Sequence, residues 1–265
     1  MRFISFLLLS CIALETSTAQ EPTIAQGGAD AGPGVGAAPT WTQKFDQLWH
    51  RRDESQVEDQ LLELVKAEQA KNQNHADVHL RLAAIYVWRA DGFPDGSDAK
   101  AAAGKSGWMT ADKAIEARPN EVGVHYYAAA GIGLYSEGVG ILTALGEGLE
   151  SKFRSRVGEA LRLNADFLDG APQVLWGRFF FKLPWPKRDV TESIKVLRAT
   201  LKSHPRNLRG KLYLAEALFE SGSRAEARQL VNEIGSAPLG EDPPEDRRIK
   251  AKATQWVARH PIDSR

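Results

Sequence analysis

The sequence predicts an all-α fold, a solenoid of stacked helical hairpins closed by a C-terminal capping helix. Three observations carry this. Apolar residues recur at helical spacing from Trp41 onward. Similar polar turns return along the chain at repeat-like intervals. No alternating run of β-branched residues is long enough to make a strand.

The chain opens with Arg2, an apolar run from Phe3 to Leu14, and small residues Ser17-Thr18-Ala19 before Gln20. That order predicts an export signal over 1–19, and the apolar run is too short for a permanent bilayer anchor. The single cysteine, Cys11, lies inside it. Leu8-Leu9-Ser10-Cys11 resembles a bacterial lipoprotein box, with only ten residues before the cysteine. Two maturations are therefore open: cleavage after Ala19 and a freely exported chain, or lipidation at Cys11. Cleavage after Ala19 would leave no thiol for a disulfide or a thiolate metal site. Residues 20–40 are rich in Gly, Ala and Pro and offer almost nothing to bury, which predicts a flexible linker. The helical domain is expected over 41–265.

Within it, Val57, Leu61, Leu64 and Val65 make one apolar stripe. Val190, Ile194, Leu197 and Leu201 make another, and Ala227, Leu230, Val231 and Ile234 a third. Ser55 with Glu58, and Ser223 with Glu226, have capping-box spacing. Between Asn164 and Lys187 a turn (Asn164, Asp166, Gly170) leads into an aromatic-rich helix that stops at Pro184-Trp185-Pro186. Asp189 is placed to cap the next helix, with Glu192 three residues on. Asp246 to His260 reads as the capping helix, anchored by Trp256.

The turns at Lys71–Asn74, Arg118–Asn120, Asn164–Asp166 and His204–Asn207 each join one apolar helix to another. With Asn74, Pro119, Ala165, Pro205 and Pro238 as equivalent points, the spacings are 45, 46, 40 and 33 residues. The last matches the tetratricopeptide period of about 34, and Leu214-Ala215, Gly222 and Ala227 fall where that motif wants them. The longer spacings predict insertions at Asp91–Asp98 and Gly131–Gly148. The glycines of the second segment admit two readings: close helix packing, or room beside an apolar ligand.

Charge and motifs exclude more than they include. Lys+Arg and Asp+Glu are both 34, so the formal charge is zero, and no nucleic-acid partner is expected. Arg247-Arg248-Ile249-Lys250 follows Glu245-Asp246 and reads as a solvated helix face. Ala99–Ser106 fits a permissive phosphate-loop pattern, but a turn rather than a strand precedes it. His75 and His79 lack a third ligand nearby, so no metal is expected. His125 reads as a satisfied core histidine. No catalytic motif emerges, and the chain is expected to be neither an enzyme nor a cofactor carrier.

A family resemblance rests on five stretches: FDQLWHRRDESQVEDQLLELVKAEQA, RLAAIYVWRAD, HYYAAAGIGLYSEGVGILTALGE, NADFLDGAPQVLWGRFFFKLPWP and LYLAEALFESGSRAEARQLV. Through them the chain, from about Phe45 to Ile234, resembles the TatT-like T components of periplasmic TRAP-type transport systems. The resemblance implies a tetratricopeptide-like α-solenoid in the periplasm, lipid-anchored in the family. It also implies hydrophobic pores for an apolar small molecule or lipid, a periplasmic substrate-binding protein as partner, and a homotrimer. Tyr126, Tyr127, Tyr135, Trp176, Phe180, Phe181 and Trp185 are the candidate lining of such a channel. The opposing reading is a cell-envelope scaffold that grips another protein and has no ligand channel.

Overall fold

The computed structural model describes residues 39–72 and 75–260. The predicted export signal, Cys11 and all but the end of the predicted linker lie outside the described residues. Twelve helices account for nearly all of the rest, and no strand occurs among the described residues. In chain order they are α1 (Trp41–Trp49), α2 (Val57–Lys71), α3 (Ala76–Gly92), α4 (Asp98–Ala117), α5 (Val122–Val139) and α6 (Ile141–Gly146). There follow α7 (Leu149–Asn164), α8 (Phe167–Lys182), α9 (Val190–Ser203), α10 (Leu208–Glu220), α11 (Arg224–Ser236) and α12 (Pro243–Arg259).

They pair as hairpins: α1 with α2, α3 with α4, α5 with α7, α8 with α9, and α10 with α11. The short α6 interrupts the third hairpin, and α12 caps the last by packing on α10 and α11. The turns read as repeat boundaries each lead into the first helix of a hairpin. The predicted stripes supply the cores. Leu61 and Val65, Leu197, and Ala227 and Ile234 are fully buried. A buried aliphatic side chain of this size stabilises by about 1.5–3 kcal/mol. Trp256 anchors α12 as expected, 7% exposed and edge-on to Phe219.

The caps divide. Asp189 accepts from the Glu192 amide at 2.8 Å, and Ser97, Asn207 and Asp242 cap α4, α10 and α12. The two expected capping boxes do not form. Gln56, in the left-handed region at φ 67°, precedes α2, and Glu58 turns away to Arg89. Ser223 makes no side-chain cap, and Glu226 reaches Arg198 at 2.6 Å. In both cases an arginine on a neighbouring helix captures the carboxylate. The one capping box among the described residues is Thr40 with Gln43, at the start of α1.

The two insertions lie inside helices rather than in long loops. The first is absorbed by extending α3 and α4, leaving only Phe93–Ser97 between them. Lys100, buried in α4, binds Asp95 at 2.6 Å and Glu137 at 3.0 Å. The phosphate-like sequence is thus the first turns of a helix, with Lys100 consumed by ion pairs. In the second, α5 runs through to Val139 and breaks at Gly140, φ 90°.

The glycines differ in what a side chain would meet. A Cβ on Gly131 would lie 2.5 Å from the Trp108 amide nitrogen, and one on Gly138 would lie 2.4 Å from that of Ala101. These two let α4 and α5 touch backbone to backbone. Gly133 would meet only a Phe153 ring carbon at 3.8 Å, so it leaves space.

The Asn164–Gly170 turn is sharper than expected. Leu168, Asp169 and Gly170 are all left-handed, with φ 47°, 56° and 79°. Two of these are not glycine, and such backbone is unfavourable for ordinary residues. His204 holds it in place: Nδ1 meets Asp169 at 3.0 Å and Nε2 meets Asp166 at 2.9 Å. Asn207 donates to the Asp169 carbonyl at 2.6 Å.

At the proline corner the expectation needs correcting. The Trp185–Pro186 peptide is cis, and Trp185 is 89% exposed. Its ring lies in solvent and takes no part in a channel wall. Lys187 ties the corner to Glu150 at the start of α7.

The superhelix closes on itself. Arg52, in the turn between α1 and α2, pairs with Asp242 at 2.6 Å, and Arg247 of α12 pairs with Asp53 at 2.5 Å. Asp91, near the end of α3, receives Lys252 at 2.6 Å and Arg209 at 2.9 Å. First and last helices thereby face each other across a seam, and their inner surfaces border a space that stays open to solvent elsewhere.

Candidate functional site: a cavity inside the closed superhelix

The first helix of each hairpin turns one face inward. On α3 that face is Ala84, Trp88 and Asp91. On α5 it is Tyr126, Ala130, Gly133 and Glu137, and on α8 it is Ala171, Leu175, Arg178 and Lys182. Each set follows i, i+4, i+7, the spacing of one helix face. Together with Arg209 and Tyr213 of α10 they surround a cavity of about 1370 Å³, above the usual size of a small-molecule pocket.

Its two sides differ. One is apolar: Ile132, Ala144, Leu149, Phe153, Leu175 and Phe179 form a continuous packed patch. The Phe153 and Phe179 rings stack at 4.8 Å. The other side is charged and hydrogen-bonded. Arg209 holds Asp91 with two nitrogens, at 2.9 and 3.1 Å, and Glu245 at 2.6 Å, and donates to the Tyr213 hydroxyl at 3.1 Å. Arg178 pairs with Glu216 at 2.5 Å and lies over the Tyr213 ring at 4.2 Å. Lys182 reaches Glu137 at 2.9 Å and Asp95 at 3.2 Å.

The titrating groups follow these contacts. Burial alone would raise the Asp91 carboxyl, but Arg209 and Lys252 outweigh it and hold Asp91 well below the usual carboxylate range. Burial opposes Asp95 too, and Lys182 and Lys100 bring it to about 2. Burial pushes the Tyr127 hydroxyl up to about 12 and raises Tyr126 further. Both phenols therefore stay protonated at neutral pH. Burial, with Arg209 and Arg52 nearby, pushes Arg248 down to about 10, still charged at neutral pH. Cations and carboxylates are paired with one another, an arrangement that offers a ligand a polar wall rather than a free base or nucleophile. Among the described residues no group of three His, Cys, Asp or Glu could hold a metal ion.

Of the seven candidate lining residues, Tyr126 and Tyr127 face the cavity, edge-to-face at 5.1 Å. Tyr135 points away, against Trp108, and donates to Glu147 at 3.0 Å. Trp176 and Phe180 lie on the far side of α8, where Trp176 stacks on Phe179 at 5.3 Å. Phe181 sits between Arg178 and Arg188 and borders a separate, smaller recess with Phe219 and Trp256. Trp185 is in solvent. The site therefore gathers Phe153, Asp91, Arg178, Arg209 and Tyr213, which aromatic density does not single out, together with Phe179 of the aromatic-rich helix. Their signal is a helix face where small, apolar and charged residues alternate at i, i+4, i+7 instead of a purely apolar stripe. His125 is buried but only half satisfied: its Nε2 lies 2.7 Å from the Pro119 carbonyl, while its Nδ1 is buried without a hydrogen-bond partner.

Among the described residues no helix is long and apolar enough to cross a membrane. A comparison with curated proteins returned no match. Among solved structures the chain is similar to a thermophilic TPR protein of Thermus thermophilus, TTC0263. The TM-score is 0.59 at 14% identity, over 82% of this chain and 97% of that one. This supports the tetratricopeptide-like α-solenoid. A family model matches residues 41–259, nearly the whole stack of hairpins and α12: the chain belongs to the family described as regulator of microtubule dynamics protein 1-3, RMD1-3.

Proposed function

We propose that this protein is a non-enzymatic helical-repeat carrier, which holds an elongated ligand with an apolar body and a polar end inside its superhelix and exchanges it with a partner protein. The observation behind this is the two-sided cavity. The Phe153–Phe179 patch suits an apolar body, and the Tyr126, Tyr127, Tyr213 and Arg209 wall suits a polar end. Paired charges favour a polar end without large net charge, because an added ion would have to displace an existing pair.

The resemblance to TRAP-type T components extends the proposal: export to the periplasm, a substrate-binding protein as partner, and a trimer, with Cys11 as anchor where it is lipidated. The family description speaks of microtubule dynamics. An exported chain would meet no microtubule, so the predicted signal over 1–19 favours a cell-envelope role here.

A peptide-binding scaffold is the second reading. It is favoured by the charged half of the cavity, since hydrogen-bonding walls also suit an extended backbone. Native mass spectrometry of the purified full chain discriminates the two and reports subunit number. A co-purified lipid-sized species, lost on Leu175→Trp or Ala130→Trp while the helical signal persists, supports the carrier. Protein free of small ligand that retains a peptide rejects it.

A further inference from the structure

The seam that closes the superhelix is built unlike the contacts that stack its hairpins. Each stack has its own apolar cluster: Phe45, Leu61, Val65 and Ile85 unite α1–α3, and Leu208, Leu212, Ile234 and Ile249 unite α10–α12. Among the described residues no apolar cluster contains members of both. What crosses is long side chains. Arg209, Arg248 and Lys252 converge on Asp91, at 2.9, 3.7 and 2.6 Å. Arg52 reaches out to Asp242, and Arg247 reaches back to Asp53. Arg248 lies on the Trp88 ring and donates to the Trp88 carbonyl at 2.5 Å. Arg52 covers the same ring, its guanidinium carbon 4.3 Å from the centroid.

Separating two apolar surfaces exposes them to water at a cost proportional to area. Separating the seam breaks ion pairs whose members Asp91 and Arg52 are buried when it is closed, but because the seam borders the cavity each charge is given to water rather than left dry. The pairs point in both directions across the seam, so they also fix how the two edges meet again. We propose that the seam is an electrostatic gate: α12, with the α10–α11 hairpin beneath it, swings away from the α1–α3 stack and recloses. Each stack stays folded and the cavity opens along its charged side. As an entrance for a ligand the gate rests on the carrier reading above; the movement itself does not.

The test needs no ligand. Ser55 and Ala251 are exposed, one on each side of the seam, and Asn232 is exposed on α11. In the full chain with Cys11→Ser, nitroxides are placed at Ser55→Cys and Ala251→Cys. A control pair carries them at Asn232→Cys and Ala251→Cys. Pulsed dipolar spectroscopy should resolve a shorter and a longer distance for the seam pair. The longer population should grow at least about threefold between about 0.1 M and about 1 M sodium chloride, where the Debye length falls from about 10 to about 3 Å. The control pair should keep one distance. Asp91→Asn should raise the longer population at low salt, and if that variant does not fold, the salt series on the natural seam still decides. A single, salt-independent seam distance overturns the gate. Uptake of N-phenyl-1-naphthylamine then separates the two proposals. A seam that opens in a protein that never takes up the probe leaves the gate standing and counts against the carrier. Equal uptake rates with the seam free and held by a cleavable bismaleimide between the same two cysteines rejects the seam as the entrance.

Discussion

The contact between α4 and α5 and the seam between α3 and α12 solve the same problem in opposite ways. Both bring helices together along the chain's curvature. At α4–α5 side chains are deleted: Gly131 and Gly138 leave no room even for a methyl group beside the Trp108 and Ala101 backbones. At the seam side chains are as long as the code allows, and arginine and lysine bridge the gap to Asp91, Asp53 and Asp242. The first contact has nothing that could rearrange, and dense packing transmits any added volume as strain. The second consists of flexible stems ending in charges that water can solvate. One closed superhelix thus contains a fixed wall and a wall that can part.

Substitutions should expose that difference. The largest effect is expected at Asp91→Ala. It strands Arg209 and Lys252 without their shared carboxylate, and breaking a buried pair costs about 3–5 kcal/mol. Urea unfolding followed by circular dichroism measures it, and a change no larger than that of a surface site would show that water already shares those charges. Next is Gly131→Ala, where the new methyl meets backbone on α4; overpacking of this kind costs about 1–3 kcal/mol. A neutral result there would mean that α4 and α5 can slide, and the contrast with the seam would fall.

Acid should weaken the seam along with the other paired carboxylates. Asp91 titrates lower folded than unfolded, where a carboxyl has pKa about 3.9. Its stabilisation is therefore complete above about pH 4 and is lost as pH falls through the depressed folded value. Asp95, at about 2 when folded, follows the same sign. Urea midpoints at pH 7 and pH 3 should differ more in the natural chain than in Asp91→Asn.

Smaller still is Gly133→Ala, only two positions from Gly131 but facing the cavity. Its methyl meets only a Phe153 ring carbon, at an ordinary contact distance of 3.8 Å, and replacing a helix-interior glycine should add about 1 kcal/mol of stability. Trp185→Ala should change stability by less than about 0.5 kcal/mol, the range for surface sites, because the ring is 89% exposed. A larger loss would mean that the corner packs against something outside the described chain.

Much of the fold was legible in the sequence because helices are local. The stripe Val57, Leu61, Val65 and the cap Asp189 act over a few residues, and the structure places them as their spacing predicts. The hairpin turns were legible for the same reason. The capping boxes at Ser55 and Ser223 failed because their glutamates had distant competitors, Arg89 and Arg198, that spacing cannot reveal. Aromatic density around Trp176 to Trp185 proved a poor guide to the cavity, since α8 turns Leu175 and Arg178 inward and Trp176 and Phe180 outward.

By itself, then, the sequence determined helices, their pairing and their order of stacking, since each depends on contacts between near neighbours in the chain. Only the tertiary structure decided that the stack closes. Closure depends on the small rotation added at each hairpin, summed over the whole solenoid. It brings Arg52 against Asp242 and Asp91 against Lys252 across more than half the chain. No local pattern encodes that sum. The same closure turns the inner helix faces into a cavity and makes the charged residues that looked like a solvated surface, Arg247 and Arg248 among them, the groups that hold it shut.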